Sequence, residues 1–256
     1  MTQYVDLNSD LGEGFGAYKM GMDEDILKLV TSANVACGWH AGDPGLMNQT
    51  VGLVKKEGVA LGAHPSYPDL LGFGRRKMDL SYQEMKDYVA YQVGALDAFA
   101  RAHDLALQHI KLHGAFYNQA MADPDLAKVL MEACLKIWPD IYFLALSGSP
   151  FARAGQAMGV KVAQEVFADR AYREDGRLVS RKEPGALIED EDLAISRTLR
   201  MVKEGRVKAI TGQDIDIVAD SICVHGDNPQ ALNFVRKIAQ ALEEEGVVLR
   251  AFGQTK

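Results

Sequence analysis

Short apolar runs alternate with longer segments whose apolar residues recur every three or four positions, from one end of the chain to the other. The runs at residues 4–7, 34–37, 59–63, 109–112, 142–146, 160–163, 221–224 and 247–251 predict strands. Their starts lie about 20 to 60 residues apart, enough for a crossover helix each time. The intervening segments carry helix start signals. Asp43-Pro44, Asp123-Pro124 and Ser149-Pro150 each set a capping side chain before a proline suited to the first turn. Ser81-x-x-Glu84 has the form of a capping box. After it, Met85, Tyr88, Val89, Val93, Leu96 and Phe99 form an apolar stripe, and Leu232, Val235, Ile238, Ala239 and Leu242 form another. Such stripes predict helices packed on a sheet.

Repeated strand–helix units imply a parallel sheet. The expected fold is α/β: a closed or nearly closed (β/α) barrel of seven or eight strands, with an open doubly wound sheet as the alternative. A single domain over residues 1–256 is expected, since no linker or low-complexity tract interrupts the pattern. Residues 167–190 are charged and lack apolar periodicity, which predicts an active-site loop or small excursion rather than a domain boundary.

Composition narrows the function. Of the 256 residues, 48% are hydrophobic and 25% charged, ordinary for a globular protein. A net charge of -7 disfavours a nucleic-acid binder, which needs a basic face. Three cysteines far apart, Cys37, Cys134 and Cys223, argue against a disulfide framework or structural zinc. No apolar run approaches a membrane span and no signal peptide is evident, so a cytoplasmic location is expected.

Chemistry gathers where strands end. The first strand runs into Asp6, Asn8, Asp10 and Glu13, and the second into Asn34, Cys37 and His40. The third leads to His64, Arg75 and Arg76, and the fourth to Lys111, His113 and Asn118. Later ends supply Glu165, Asp169 and Arg170, then His225 and Asp227. In a parallel barrel all these ends share one face, where active sites of this architecture sit. His40, His64, His113 and His225, four of the six histidines, fall at such ends. Any one of them suits a structural role; four together point to a shared pocket. His103 and His109 stand before a strand or early in it and are given no chemistry.

Six motifs then become recognisable: NSDLGEGFG (8–16), NVACGWHAGDP (34–44), GAHPSYPDLLGFGRR (62–76), KLHGAFYN (111–118), EVFADRAY (165–172) and VHGDNP (224–229). In this order and over essentially the whole chain they resemble the LamB/YcsF family. One departure is Leu112, where many members have proline. The resemblance implies an irregular, often seven-stranded barrel of the glycoside hydrolase/deacetylase type. It also implies ATP-dependent opening of 5-oxo-L-proline to L-glutamate, in a 5-oxoprolinase with two partner subunits, B and C.

Lactam opening needs phosphate donors, a base for water and an acid for the departing nitrogen. Asp10, His64, His113 and Lys111 are the catalytic candidates, Asp10 as a base or metal-linked carboxylate and the histidines for proton transfer. Asn8, Asn34, His40, Arg75, Asn118, Glu165, Arg170 and His225 are the substrate-binding candidates, the arginines suiting phosphate or carboxylate. No GxxxxGK[ST] is present. GEGFG at 12–16 only superficially resembles a phosphate loop, so ATP, with or without Mg2+, lacks a legible site. A metal on Asp10, His64 and His113 is a further option, although HExxH and HxxxH spacings are absent. Cys37 is read as a buried strand-end thiol rather than a nucleophile. The rival readings are a metal-dependent amide or carbohydrate deacetylase and a non-catalytic substrate-binding subunit.

Overall fold

The structure, a computed structural model, describes residues 3–226 and 228–254. Its strands are β1 (Gln3–Leu11), β2 (Ser32–Ala36), β3 (Ala60–His64), β4 (His109–Ile110), β5 (Tyr142–Leu146), β6 (Val162–Phe167), β7 (Arg206–Lys208), β8 (Asp214–Asp216), β9 (Ser221–Cys223) and β10 (Val247–Leu249). Its helices are α1 (Asp23–Ile26), α2 (Pro44–Glu57), α3 (Tyr82–Ala102), α4 (Gly114–Ala122), α5 (Pro124–Leu135), α6 (Pro150–Ala157), α7 (Glu191–Glu204) and α8 (Pro229–Glu244). No helix among the described residues is long and apolar enough to cross a membrane.

β1 to β6 pair in chain order, all parallel, and β9 joins β6 to β1 and closes the ring. The result is a seven-stranded parallel barrel. β9 covers only Asp6, Leu7 and Asn8 of β1, and β10 pairs with Gln3, Tyr4 and Val5 of the same strand. The seam is therefore shared by two short strands, which reconciles the expected counts of seven and eight. The open doubly wound alternative is excluded by the β1–β9 pairing.

The helix starts follow from the caps. Asp43, Asp123 and Ser149 accept backbone N–H bonds at the first turns of α2, α5 and α6, and Ser81 with Glu84 forms the reciprocal capping box of α3. Met85, Val89, Val93 and Leu96 of α3 and Leu232, Val235, Ile238 and Leu242 of α8 are buried against the sheet. Alternation along β1 sends Val5, Leu7 and Leu11 into this apolar layer. The opposite face carries Asp6, Asn8 and Asp10 inward. The barrel interior is thus lined by polar side chains rather than the usual layers of branched apolar ones. Gly62 makes room for it: a Cβ there would lie 2.0 Å from His109 Nε2.

One feature was not legible in the sequence. β7 and β8 form an antiparallel hairpin outside the barrel. Residues 167–190, expected as an active-site loop or small excursion, are an ordered excursion at the cavity wall, tied by bridges Arg170–Leu187 and Tyr172–Leu178 around a small core of Ala171, Val179 and Ala186.

Candidate active site

The floor of the site is a buried polar network. The Asp6 carboxylate accepts hydroxyl bonds from Thr31, Ser32 and Ser221. One turn of the pleat further on, Asn8 donates to Ser221 Oγ at 2.7 Å. Asn34 Nδ2 donates to both Asn8 Oδ1 and Asp10 Oδ1, each at 2.8 Å. His109 Nε2 donates to Asn34 Oδ1 at 2.6 Å and so fixes which way that amide faces. Lys111 Nζ, from the end of β4, donates to Asn8 Oδ1 at 3.1 Å, Asp10 Oδ1 at 3.0 Å and Cys223 Sγ at 3.2 Å. It also lies 3.2 Å from Glu165 Oε2. An ammonium so placed is fully supplied with acceptors.

Above this floor three imidazoles meet. His64, at the tip of β3, donates Nδ1–H to the Lys111 carbonyl at 2.7 Å. His113, the residue before α4, donates Nε2–H to the Phe73 carbonyl at 2.9 Å. Their inner nitrogens, His64 Nε2 and His113 Nδ1, stand 2.9 Å apart. Asp10 Oδ2 is 3.3 Å from His64 Nε2, and Glu13 Oε1 is 3.5 Å from His113 Nδ1. His40 stacks on His113 with ring centroids 3.8 Å apart, and its Nε2 lies 2.9 Å from Glu13 Oε1.

Local backbone features hold this arrangement. The loop after β3 is clamped by the Arg76 guanidinium on the Asp69 carboxylate, with Nε 2.9 Å from Oδ1. Gly74 takes φ +64°, and a Cβ there would lie 2.2 Å from Ser66 Oγ. Its carbonyl accepts from Ala115 N at 2.9 Å, docking the loop on the start of α4. The glycine-rich turn after β1 carries Glu13 back over the barrel mouth. Its Gly12 and Gly16 amides donate to the Asp23 and Asp43 carboxylates, each at 2.9 Å. These two amides are committed to carboxylates, which ties the turn to the starts of α1 and α2.

Electrostatics separate the groups. Burial alone would raise the Asp10 carboxyl, but His64 and the Lys111 ammonium beside it hold it well below the usual carboxylate range. Burial, and then the Asp10 charge, raises Glu13. Burial likewise pushes His40 and His113 well below the ordinary imidazole value, with neighbouring imidazoles adding to it. Burial would lower Lys111, yet Asp10, Cys223 and Glu165 hold it well above its usual value. Burial pushes the Cys37 thiol up to about 12, which rules it out as a nucleophile at neutral pH.

A cavity of 590 Å³ opens over the cluster at the carboxyl ends of the strands. Asp10, Glu13, His64, Lys111, His113 and His225 reach its surface. Its other wall comes from the excursion after β6 and the start of α6. There Arg170 is mostly buried, donates Nη2–H to the Val179 carbonyl at 2.7 Å, and leaves its Nε–H without a hydrogen bond. Burial and the nearby Arg181 charge lower its pKa. His225 Nδ1 faces Asp169 at 3.3 Å. A second cavity, of 310 Å³, lies at the opposite end of the barrel around β10 and has no histidine in its wall.

The candidates divide into three layers. Asp10, His64, Lys111 and His113 converge on the cavity floor, and Arg75, Asn118, Arg170 and His225 line its walls. Asn8, Asn34 and Glu165, expected to touch substrate, are fully buried beneath the floor and do not line the cavity; they hold Lys111 and Asp10 instead. His40, expected to do the same, sits behind Glu13. Asp227 lies outside the described residues. Glu13 belongs to the cluster although only its nearness to a strand end hinted at it. Of the metal trio expected, Asp10 Oδ2 lies 3.3 Å from His64 Nε2, which lies 2.9 Å from His113 Nδ1. Glu13, His40, His64 and His113 each present a donor atom within 4.8 Å of the others, and Asp10 does so with Cys223 and His225. The second group suits a cation poorly, because burial holds the Cys223 thiol protonated and the Lys111 ammonium bonds to it.

Comparison with known proteins agrees with this picture. The model of the LamB/YcsF family matches residues 5–256. The chain is 60% identical over 247 residues to the A subunit of 5-oxoprolinase from Campylobacter jejuni subsp. doylei, covering 96% of this chain and 97% of that one. It is 54% identical over 251 residues to the protein of the same name from Fusobacterium nucleatum subsp. nucleatum, covering 98% of each. The crystal structure of a lactam utilization protein from Thermus thermophilus superposes with a TM-score of 0.91 at 44% identity, over 98% of this chain and 100% of that one.

Proposed function

The chain belongs to the LamB/YcsF family, and from that premise we propose that it is the lactam-handling subunit of an ATP-dependent 5-oxoprolinase. It opens 5-oxo-L-proline to L-glutamate together with two partner subunits, B and C. The reading is carried by the meeting of Asp10, His64, His113 and Lys111 at one cavity floor, in a chain so similar to proteins of that name.

A lactam resists hydrolysis because C–N resonance must be lost, and a five-membered ring re-closes readily. Transfer of the γ-phosphoryl group of ATP to the amide oxygen removes both obstacles. The ring carbon becomes electrophilic, water adds to it and loses a proton to a base, and the C–N bond breaks as the nitrogen takes up a proton. The resulting acyl phosphate is released by a second water as glutamate and phosphate. Asp10, kept ionised beside Lys111 and presenting Oδ2 to the cavity floor, is the base that accepts the proton of water. The protonated Asp10 returns that proton to the departing nitrogen, and His64 and His113 position the attacking water from the facing side of the floor. Arg170 and Arg75, on the cavity walls, receive the substrate carboxylate and the transferred phosphoryl group. The cavity lies in the ordinary range of about 300–1,000 Å³ for small-molecule sites, which suits the lactam with a phosphoryl group beside it. ATP, with Mg2+, reaches this wall from a site completed by a partner chain. The three buried, unpaired cysteines fit a cytoplasmic protein.

The test is reconstitution with the two partner chains, following glutamate and ADP while each chain, and then ATP, is omitted in turn. Glutamate formation that needs ATP and all three chains supports the proposal. Glutamate made by this chain alone without ATP would sink it.

A further inference from the structure

The tautomers of the two central histidines are fixed from outside the cluster. His64 Nδ1 faces the Lys111 carbonyl and His113 Nε2 faces the Phe73 carbonyl, and a carbonyl only accepts. Each ring therefore carries its proton on the outer nitrogen. The inner nitrogens, His64 Nε2 and His113 Nδ1, then point lone pair at lone pair across 2.9 Å. Two neutral imidazoles repel in that arrangement, and the nearest further groups, Asp10 Oδ2 and Glu13 Oε1, are also acceptors. A positive centre is needed among four converging electron-pair donors.

We propose that this centre is a divalent transition-metal ion of the zinc class, held by His64 Nε2, His113 Nδ1 and Glu13 Oε1, with its remaining position open to the cavity. The three donor atoms are 2.9, 3.5 and 4.0 Å apart. Ligands about 2.0–2.1 Å from a tetrahedral ion stand about 3.4 Å apart, so each needs to move by only a few tenths of an ångström. Two imidazoles and one carboxylate, with a vacant position, are a donor set of catalytic zinc sites. The outer contacts fit as well, since metal-bound histidines donate their other N–H to a carbonyl or carboxylate. All three ligands reach the cavity surface and His40 does not. The His40 ring lies 6° from parallel to that of His113 at 3.8 Å, so one ion cannot lie in both ring planes. His40 is instead the positioning residue for the Glu13 carboxylate. Asp10 commits Oδ1 to Lys111 and Asn34 and presents only Oδ2 to this point.

The alternative positive centre is a proton, which would make one imidazole cationic. The two are told apart by direct binding to the full chain, without substrate or partner chains. The protein is stripped with a chelator, dialysed against Zn2+ or Co2+, and its metal measured by mass spectrometry; the Co2+ form is read by its visible absorption. One equivalent per chain, with the intense bands of four- or five-coordinate Co2+, is expected. His64→Asn, His113→Asn and Glu13→Gln lose the ion, while His40→Asn weakens binding by about 10–100-fold. Circular dichroism verifies that each variant is folded. Wild-type protein that retains no stoichiometric metal overturns the proposal, as does binding undiminished in folded His64→Asn and His113→Asn. The wild-type measurement stands if a variant fails to fold. Since it requires no lactam turnover, it can succeed or fail independently of the proposed activity.

Discussion

Lys111 and Glu165 form a salt bridge of 3.2 Å inside the barrel, with 3% and 0% of their side chains exposed. Removing one member of such a pair strands a charge in a low-dielectric interior, at a cost of about 3–5 kcal/mol. Lys111→Met should therefore lower unfolding free energy by about that amount as well as abolish turnover. Lys111→Met combined with Glu165→Gln should recover part of the stability and none of the activity. Denaturant unfolding of both variants measures this; equal loss in single and double variants would show that the pair does not govern stability.

Asp6 gives the fold a pH dependence of definite sign. Burial raises its carboxyl from 3.8 to about 6 against the pull of its three hydroxyl donors. The folded state thus prefers the protonated acid. Its contribution is fully present below about pH 4 and is lost as pH rises through about 6, by about 3 kcal/mol in all. Asp6→Asn should remove that slope. Unfolding curves at a series of pH values for wild type and variant measure the difference, and parallel stability profiles would contradict the assignment.

Asp10→Asn keeps an acceptor for Lys111 and Asn34 but removes the charge facing His64. In the reconstituted complex it should reduce kcat by about 10²–10⁴-fold, the range for lost acid–base function. His113→Ala should also lower kcat, through loss of half of the imidazole pair that positions the water. Both variants should remain folded by circular dichroism. Full activity in either rejects its role.

Arg170 lies in the cavity wall with one N–H uncommitted. A charge-assisted hydrogen bond is worth about 1.5–3 kcal/mol. Arg170→Gln should accordingly raise KM for 5-oxoproline or for ATP by about 10–100-fold, with a smaller effect on kcat. Which KM moves identifies the anion that this side chain meets, and no change in either removes it from the site.

Much of this was legible because barrels translate strand periodicity into position. The spacing of Asp6, Asn8 and Asp10 puts all three on one face of β1, and strand ends converge by topology, so the floor cluster followed from the letters. Depth within the barrel did not. Asn8, Asn34 and Glu165 have the same polar character as Asn118 and Arg170, and only the register of neighbouring strands places them below the cavity. His109 looked inert for standing early in a strand, yet it orients Asn34. Burial pushes it down to about 3, so it acts as a fixed neutral donor. Glu13 was obscured because its position depends on a turn pinned by Asp23 and Asp43, contacts that no local pattern announces. The β7–β8 hairpin was missed because three-residue strands leave almost no periodicity to read.

The seam on β1 has a consequence for how the molecule is made. Asp6 and Ser221, bonded across it, are 215 residues apart in the chain. Bringing such distant segments together carries a large loop-closure entropy, and folds dominated by such pairings assemble slowly. A nascent ring of six strands would expose the unshared edges of β1 and β6, with the ionisable groups of its lumen still wet and unmatched. Only docking of β9 dries the lumen and completes the partners of Asp6, Asn8 and Lys111 together. Competence to react and completion of the ring are therefore one event, and a half-built molecule has no partial version of the site.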